Sequence, residues 1–338
     1  MFDLLKRLCE LRGISGQEDA VRSFILEQIA DRAQVHVDPL GNVIVFQKGM
    51  SADKTVMLSA HMDEVGFLIT HITDEGLCKF AAVGGIDDRI VVGKRVCVGE
   101  KGIPGVIGTK AVHMQTDEER GKAPKLDDLY IDIGCASKEE ALLHVALGDM
   151  VTFDSDYIEF GDGRIKARAL DDRIGCAVLL SLLDVKPYYD TYYIFTVQEE
   201  VGARGAKTAA FAVNPDISIV LEATTAADLP GVTGNKRVCE LLGGVVIPYM
   251  DRSTVYDRAL TKRAFALAQS LGIPAQTKQM FAGGNDSGSI GPSRDGVRCV
   301  ALCAACRNIH SPSCVIAKED AVQLLALTKA MLGDRLES

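Results

Sequence analysis

His61 and Asp63 stand two residues apart behind the apolar run Thr55–Ala60, and Glu199 and Glu200 follow the apolar run Tyr192–Val197. Glu222 follows Ile217–Leu221, Asp171 and Asp172 open a helical pattern, and His310 lies in Asn308-Ile309-His310-Ser311-Pro312, beyond Val300–Leu302. Carboxylates gathered without a cation repel one another and raise each other's pKa values, and a divalent cation relieves that repulsion. Two imidazoles with several carboxylates suit zinc, cobalt or manganese, not calcium. A pair of such ions needs one bridging carboxylate, one His on each ion and one further acid on each, which matches the supply here. Asp63 and Glu199 are then left for orienting and base roles. Asp63, two residues past His61, can accept from its ring N–H and fix the tautomer. Adjacent side chains such as Glu199 and Glu200 point to different sides, so one can hold a metal while the other faces the bound water.

Ligands of open α/β sheets bind outside the carboxyl ends of the strands, which gives these strand ends their meaning. The four apolar runs are short and continuous, as expected of central strands covered on both faces. Helical patterns over Arg173–Leu183, Arg258–Leu271 and Lys318–Leu332 lie between or after them, so the reading is an α/β fold with a mixed sheet flanked by helices. Two short helices are expected within residues 1–30, the second capped by Ser15 and Glu18, followed by a hairpin of Val35–Val37 and Val43–Phe46. Residues 67–160 break the rhythm. Short runs at Phe67–Ile72, Arg89–Val98, Gly105–Ile107, Leu129–Ile133 and Met150–Phe153 are separated by Gly, Pro and Asp, with one helix expected over Lys138–Ala146. This reads as a β-rich, barrel-like domain inserted into a catalytic domain formed by residues 1–66 and 161–338.

The 338 residues carry 37 Lys and Arg against 46 Asp and Glu, a net charge of −9, and no Trp. Such a chain lacks the footprint of a nucleic-acid or acidic-membrane binder. No apolar run approaches the length of a membrane span, and no basic region precedes an apolar stretch at the N-terminus. The ten cysteines therefore read as free thiols in the reducing cytoplasm. Cys303 and Cys306 form a lone CxxC without the second pair that a zinc ribbon needs.

Five motifs, Ala60–Gly66 (AHMDEVG), Ala169–Cys176 (ALDDRIGC), Gln198–Ala206 (QEEVGARGA), Gly283–Gly288 (GGNDSG) and Ile309–Pro312 (IHSP), resemble metallopeptidase family forty-two in order and spacing. These are the tetrahedral, self-compartmentalising aminopeptidases of glutamyl and deblocking type. The resemblance implies His61, Asp171 and Glu222 as one metal site and Asp171, Glu200 and His310 as the other, with Asp171 bridging. It implies Glu199 as general base and Asp63 as the acid that orients His61. Glu222 departs from the family pattern, which usually has Asp there. The resemblance further implies removal of N-terminal residues from short peptides, two divalent ions per subunit (Zn or Co, with Mn as a third choice) and a homo-oligomer, a dodecamer in the family.

The remaining histidines, His36, His71, His113 and His144, have no motif context and read as surface or structural groups. Asp172 reads equally as a partner of the site or as a helix-opening acid, and Gly283–Asp286 equally as a substrate loop or a turn. Asp117-Glu118-Glu119 reads as a solvated loop. The alternatives to an aminopeptidase are a carboxypeptidase or amidohydrolase with a related metal pair, kept open by Glu222, and a non-catalytic scaffold with a degenerate site. Glu199 and Glu200 as a glycosidase pair rank below these, because adjacent residues rarely face one bond from opposite sides.

Overall fold

A computed structural model describes residues 1–30 and 33–336. The four apolar runs become the centre of an eight-stranded sheet, and every one of them extends beyond its run: Tyr189–Thr196, Ser51–His61, Ile217–Thr225 and Arg298–Cys306, adjacent in that order and parallel. Val43–Gln47 pairs antiparallel outside Tyr189–Thr196, and Gln34–Val37 folds back on it as a hairpin. Val245–Val246 and Ala275–Gln276 close the other edge. The helices Phe2–Glu10, Asp19–Ile29, Leu170–Leu182, Arg258–Ser270 and Lys318–Leu332 pack on one face. Arg204–Val213 packs on the other through Ala206, Ala209 and Ala210. Burial on both faces is why the central strands lack alternation.

Register does the work of bringing charge together. Ser59 pairs with Val220 and Thr196 with His61, so two residues on from Ser59 and Val220 His61 comes level with Glu222, which itself pairs with Cys303. Glu222 is thus inside its strand rather than past its end, because pairing with Arg298–Cys306 continues to Thr225. Cys303 and Cys306 fall on opposite faces of that strand, in separate apolar clusters, and all ten cysteines are free.

The strands Gly66–Ile72, Cys78–Val83, Tyr130–Asp132, Ile103–Gly108, Arg95–Val98 and Met150–Phe153 close into a barrel in that order. Its core is built on Phe67, which meets Phe80 and Phe153 edge-to-face at centroid distances of 5.0 and 5.5 Å. Ile158–Phe160 leaves the barrel and pairs with Arg164–Ala167, which pairs in turn with Cys314–Ala317.

Five local readings differ from the structure. The strand Cys78–Val83 carries Cys and two exposed alanines, which give little β signal. The helix Arg204–Val213 buries an alanine face and so lacks large periodic apolar residues. The helix expected over Lys138–Ala146 stops at Ala141, and Leu142 and Leu143 beyond it are exposed. Asp117–Arg120 is exposed as expected but forms a helical turn, with a capping box between Thr116 and Glu119. No such box forms at Asp19–Ile29. The Ser15 hydroxyl instead donates to Asp63 Oδ2 at 2.6 Å, and Glu18 Oε1 accepts the amides of Gly16 and Gln198, partners that take the place of the helix end.

Gly205 opens the Arg204–Val213 helix where its amide meets the Val197 carbonyl, and a Cβ there would overlap Asn42 Oδ1 and the Val197 backbone. Gly205→Ala is expected to lower the unfolding free energy by about 1–3 kcal/mol through overpacking. A denaturation midpoint that does not move would contradict this close approach.

Candidate metal centre

Five separated segments deliver their ionisable groups to one place at the carboxyl edge of the parallel strands. Asp171 stands in non-helical backbone just ahead of the regular turns of its helix, with φ −87° and ψ 108°. Its Oδ1 lies 3.2 Å from His61 Nε2, and its Oδ2 lies 3.2 Å from His310 Nε2. Glu222 Oε1 is 3.6 Å from His61 Nε2, and Glu200 Oε2 is 3.3 Å from His310 Nε2. Ligating atoms of His61, Asp171 and Glu200 fall within 4.8 Å of one another, and so do those of His61, Asp172 and Glu222.

Both imidazoles are oriented from behind by carbonyls. His61 Nδ1 donates to Asp63 O at 2.9 Å, and His310 Nδ1 donates to Gly85 O at 2.7 Å. A carbonyl only accepts, so Nδ1 carries the proton and each Nε2 is turned towards carboxylate oxygens. A lone pair facing an anion needs a cation between them, a proton or a metal ion. The site's pKa directions express the same need. Burial disfavours the His310 imidazolium, yet Asp171 and Glu200 outweigh it and push the group up to about 10. Burial opposes ionisation of Asp171 as well, but the two imidazoles hold it far below the usual carboxylate range. Burial and the Asp171 charge drive Glu200 and Glu222 well above it. Glu200 Oε1 and Asp172 Oδ2 are buried without a hydrogen-bond partner among the described residues. Neutral-imidazole nitrogens, a shared carboxylate and orphaned carboxylate oxygens make a donor set that fits divalent cations.

Asp63 does something other than expected. The ring N–H of His61 goes to its backbone carbonyl, while the nearer carboxylate oxygen is 3.5 Å away. The carboxylate instead accepts from Ser15 Oγ, from Glu199 N at 3.0 Å and from Glu200 N at 3.1 Å. The reason is direction: the Glu199-Glu200 turn offers two convergent amides, which suit a carboxylate better than one ring nitrogen. Burial works against its charge, but His61, Ser15 and the Glu199 amide keep Asp63 below its ordinary value. Glu199 makes no metal-ligand pair; burial, opposed by His61 and reinforced by Asp286, Asp171 and Asp63, pushes it up to about 8.

Asp172 caps its own helix, accepting Gly175 N at 3.0 Å through Oδ1. In the Gly283–Gly288 loop, Asp286 is buried and accepts from Thr196 Oγ1 at 2.6 Å, directly below the Glu199-Glu200 turn. No short-range pattern singles out Asn42 or Thr196 as neighbours of the site, and the local spacing of Ser15 and Glu18 points to a helix cap. His36, His71, His113 and His144 are exposed. A cavity of about 420 Å³ between Gly85 and Ile90 of the barrel segment and the 308–313 loop opens beside His310.

Residues 41–327 match the family described as M42 glutamyl aminopeptidase. The lysyl aminopeptidase of Pyrococcus furiosus is 31% identical over 342 residues, 98% of this chain and 97% of its own. The TET aminopeptidase of a marine-sediment Thaumarchaeota archaeon superposes with a TM-score of 0.95 at 33% identity, over 99% of this chain and 96% of that one. The TET1 peptidase of Pyrococcus horikoshii, which can assemble into a tetrahedron or a large octahedral shell, gives 0.88 at 34% identity, over 98% and 99%. The likeness runs through nearly the whole chain: the chain belongs to the M42 glutamyl aminopeptidase family and is a metal-dependent aminopeptidase.

Proposed function

We propose that the centre is dinuclear, with His61, Asp171 and Glu222 holding one divalent ion and Asp171, Glu200 and His310 the other, and that it removes N-terminal residues from short peptides. The observation that carries this reading is the Asp171 carboxylate, whose two oxygens each face a different imidazole at 3.2 Å. Zinc or cobalt, and then manganese, suit two imidazole nitrogens among carboxylates. Ions held there would polarise the peptide carbonyl and lower the pKa of a water from about 15.7 towards neutrality.

The chain's own groups supply the rest. Glu199, anchored through its amide to Asp63, takes a proton at its carboxylate and returns it to the leaving amine nitrogen. Asp63 keeps that turn and the His61 ring in fixed relation, through carboxylate and carbonyl respectively. The surplus of carboxylates attracts the ammonium of a free substrate N-terminus. The cavity beside His310 has room for the peptide on one side of the scissile bond. The tetrahedral assembly of the Pyrococcus horikoshii relative supports a homo-oligomer here, and tetrahedral symmetry repeats a chain to a dodecamer. Ten unpaired thiols support a reducing compartment, the cytoplasm. Among the described residues no helix is long and apolar enough to cross a membrane.

Three outcomes are expected. By elemental analysis, Asp171→Ala retains almost no metal, whereas His61→Ala and His310→Ala each retain one ion of two; equal loss in all three variants would argue against a shared carboxylate. Glu199→Gln keeps its metal and loses activity by about 100-fold or more, the contribution of a general base. Peptides with free N-termini are cleaved and blocked ones are not; equal cleavage of both would favour the amidohydrolase alternative.

A further inference from the structure

Four successive amides lead the chain off the Tyr189–Thr196 strand into the turn that bears Glu199, and each is met by a side-chain oxygen. Val197 N donates to Asn42 Oδ1 at 3.0 Å and Gln198 N to Glu18 Oε1 at 3.1 Å. Glu199 N and Glu200 N donate to the two oxygens of Asp63 at 3.0 and 3.1 Å. Among the described residues, no strand ladder extends into this turn. Gln198 is in the left-handed region, φ +57°, which a residue with a side chain adopts only when its surroundings impose it.

The outer members of this arrangement come from the link between the first two helices. Ser15 Oγ donates to Asp63 Oδ2 at 2.6 Å, and Glu18 Oε1 also accepts Gly16 N at 2.7 Å. Asp63 has a competing partner, the His61 ring nitrogen 3.5 Å from Oδ1, and the Ser15 hydroxyl biases its carboxylate towards the Glu199-Glu200 amides. Glu18 is 2% exposed, and its removal would leave the Gln198 amide without its acceptor in a turn that already disfavours its own backbone conformation.

We propose that Ser15 and Glu18 are positioning residues for the hydrolytic reaction: through Asp63 and the Gln198 amide they set where the Glu199 carboxylate stands. This rests on Glu199 being the base. Neither residue lies among the groups proposed to hold metal, so the role predicts an effect on turnover apart from metal binding or substrate affinity.

The test measures kcat and KM of the metal-loaded full-length chain on the best member of a panel of amino-acid p-nitroanilides, with bound metal and near-ultraviolet circular dichroism recorded for each variant. Ser15→Ala and Glu18→Ala are expected to lower kcat by about tenfold or more, the scale on which small misplacements of a reacting group act, with KM and bound metal within about twofold of the parent. Ser15→Thr keeps the hydroxyl and Glu18→Gln keeps an acceptor oxygen, so both are expected to recover most of the loss. Parent-like kcat in the two alanine variants overturns the proposal. So does a kcat that falls only in step with lost metal or lost fold, or one that the conservative variants do not restore. Glu199→Gln separates the two layers: full activity there removes the base assignment itself, whereas an inactive Glu199→Gln beside active Ser15→Ala and Glu18→Ala removes only the positioning role.

Discussion

The arrangement depends on one constraint: negative charge crowded where water is excluded. Asp63, Asp171, Asp172 and Glu222 are each less than 9% exposed, and Glu199 and Glu200 join them at the same strand ends. Left alone, such a group would neutralise by taking up protons, as the upward drive on Glu200, Glu222 and Asp172 expresses. The fold meets the problem with backbone and cationic partners. Asp63 is saturated by amides and a hydroxyl, Glu64 is paired with the guanidiniums of Arg168 and Arg173, and one oxygen of Asp172 is held by its helix. What remains uncompensated is the set facing the two Nε2 atoms, which is where cations belong.

The parallel sheet is what makes this crowding reproducible. Pairing Thr196 with His61, Ser59 with Val220 and Glu222 with Cys303 leaves no freedom in which residues meet across strands. A slip of one residue in any of these pairings would turn His61 or Glu222 to the opposite face. The apolar runs that precede them, buried on both faces, hold that register. The barrel contributes from outside: the Gly85 carbonyl, just after its Cys78–Val83 strand, sets the His310 ring.

These strands were legible because each is a continuous apolar run, and the candidate site was suggested by the acid or imidazole that follows three of those runs, together with the helix-opening Asp171 and the loop residue His310. The layered α/β class and the inserted β region follow from the same patterning. What escaped was whatever depends on distant partners. Ser15 and Glu18 have the spacing of a capping box, and no local rule discloses that Asp63 and the Gln198 amide will claim them. Asp63 was read as facing its neighbour His61 through its carboxylate. The carboxylate turns to amides 136 and 137 residues away, and the carbonyl serves the ring instead. The Arg204–Val213 helix escaped because its buried face is alanine, which packs closely but carries no periodic signal.

Glu222 shows how a long acid is accommodated at a buried strand position facing His61. Glu222 folds back so that Oε1 also accepts the amide of Ala223 at 2.9 Å. The same oxygen then stands 3.6 Å from His61 Nε2, against 3.2 Å for the Asp171 oxygen on that nitrogen. The longer acid is therefore compatible with the donor set, but it divides its lone pairs between the backbone and the centre. Of the groups around His61, Asp171 is the one whose position both imidazoles determine, and Glu222 the one with room to adjust to the ion that binds.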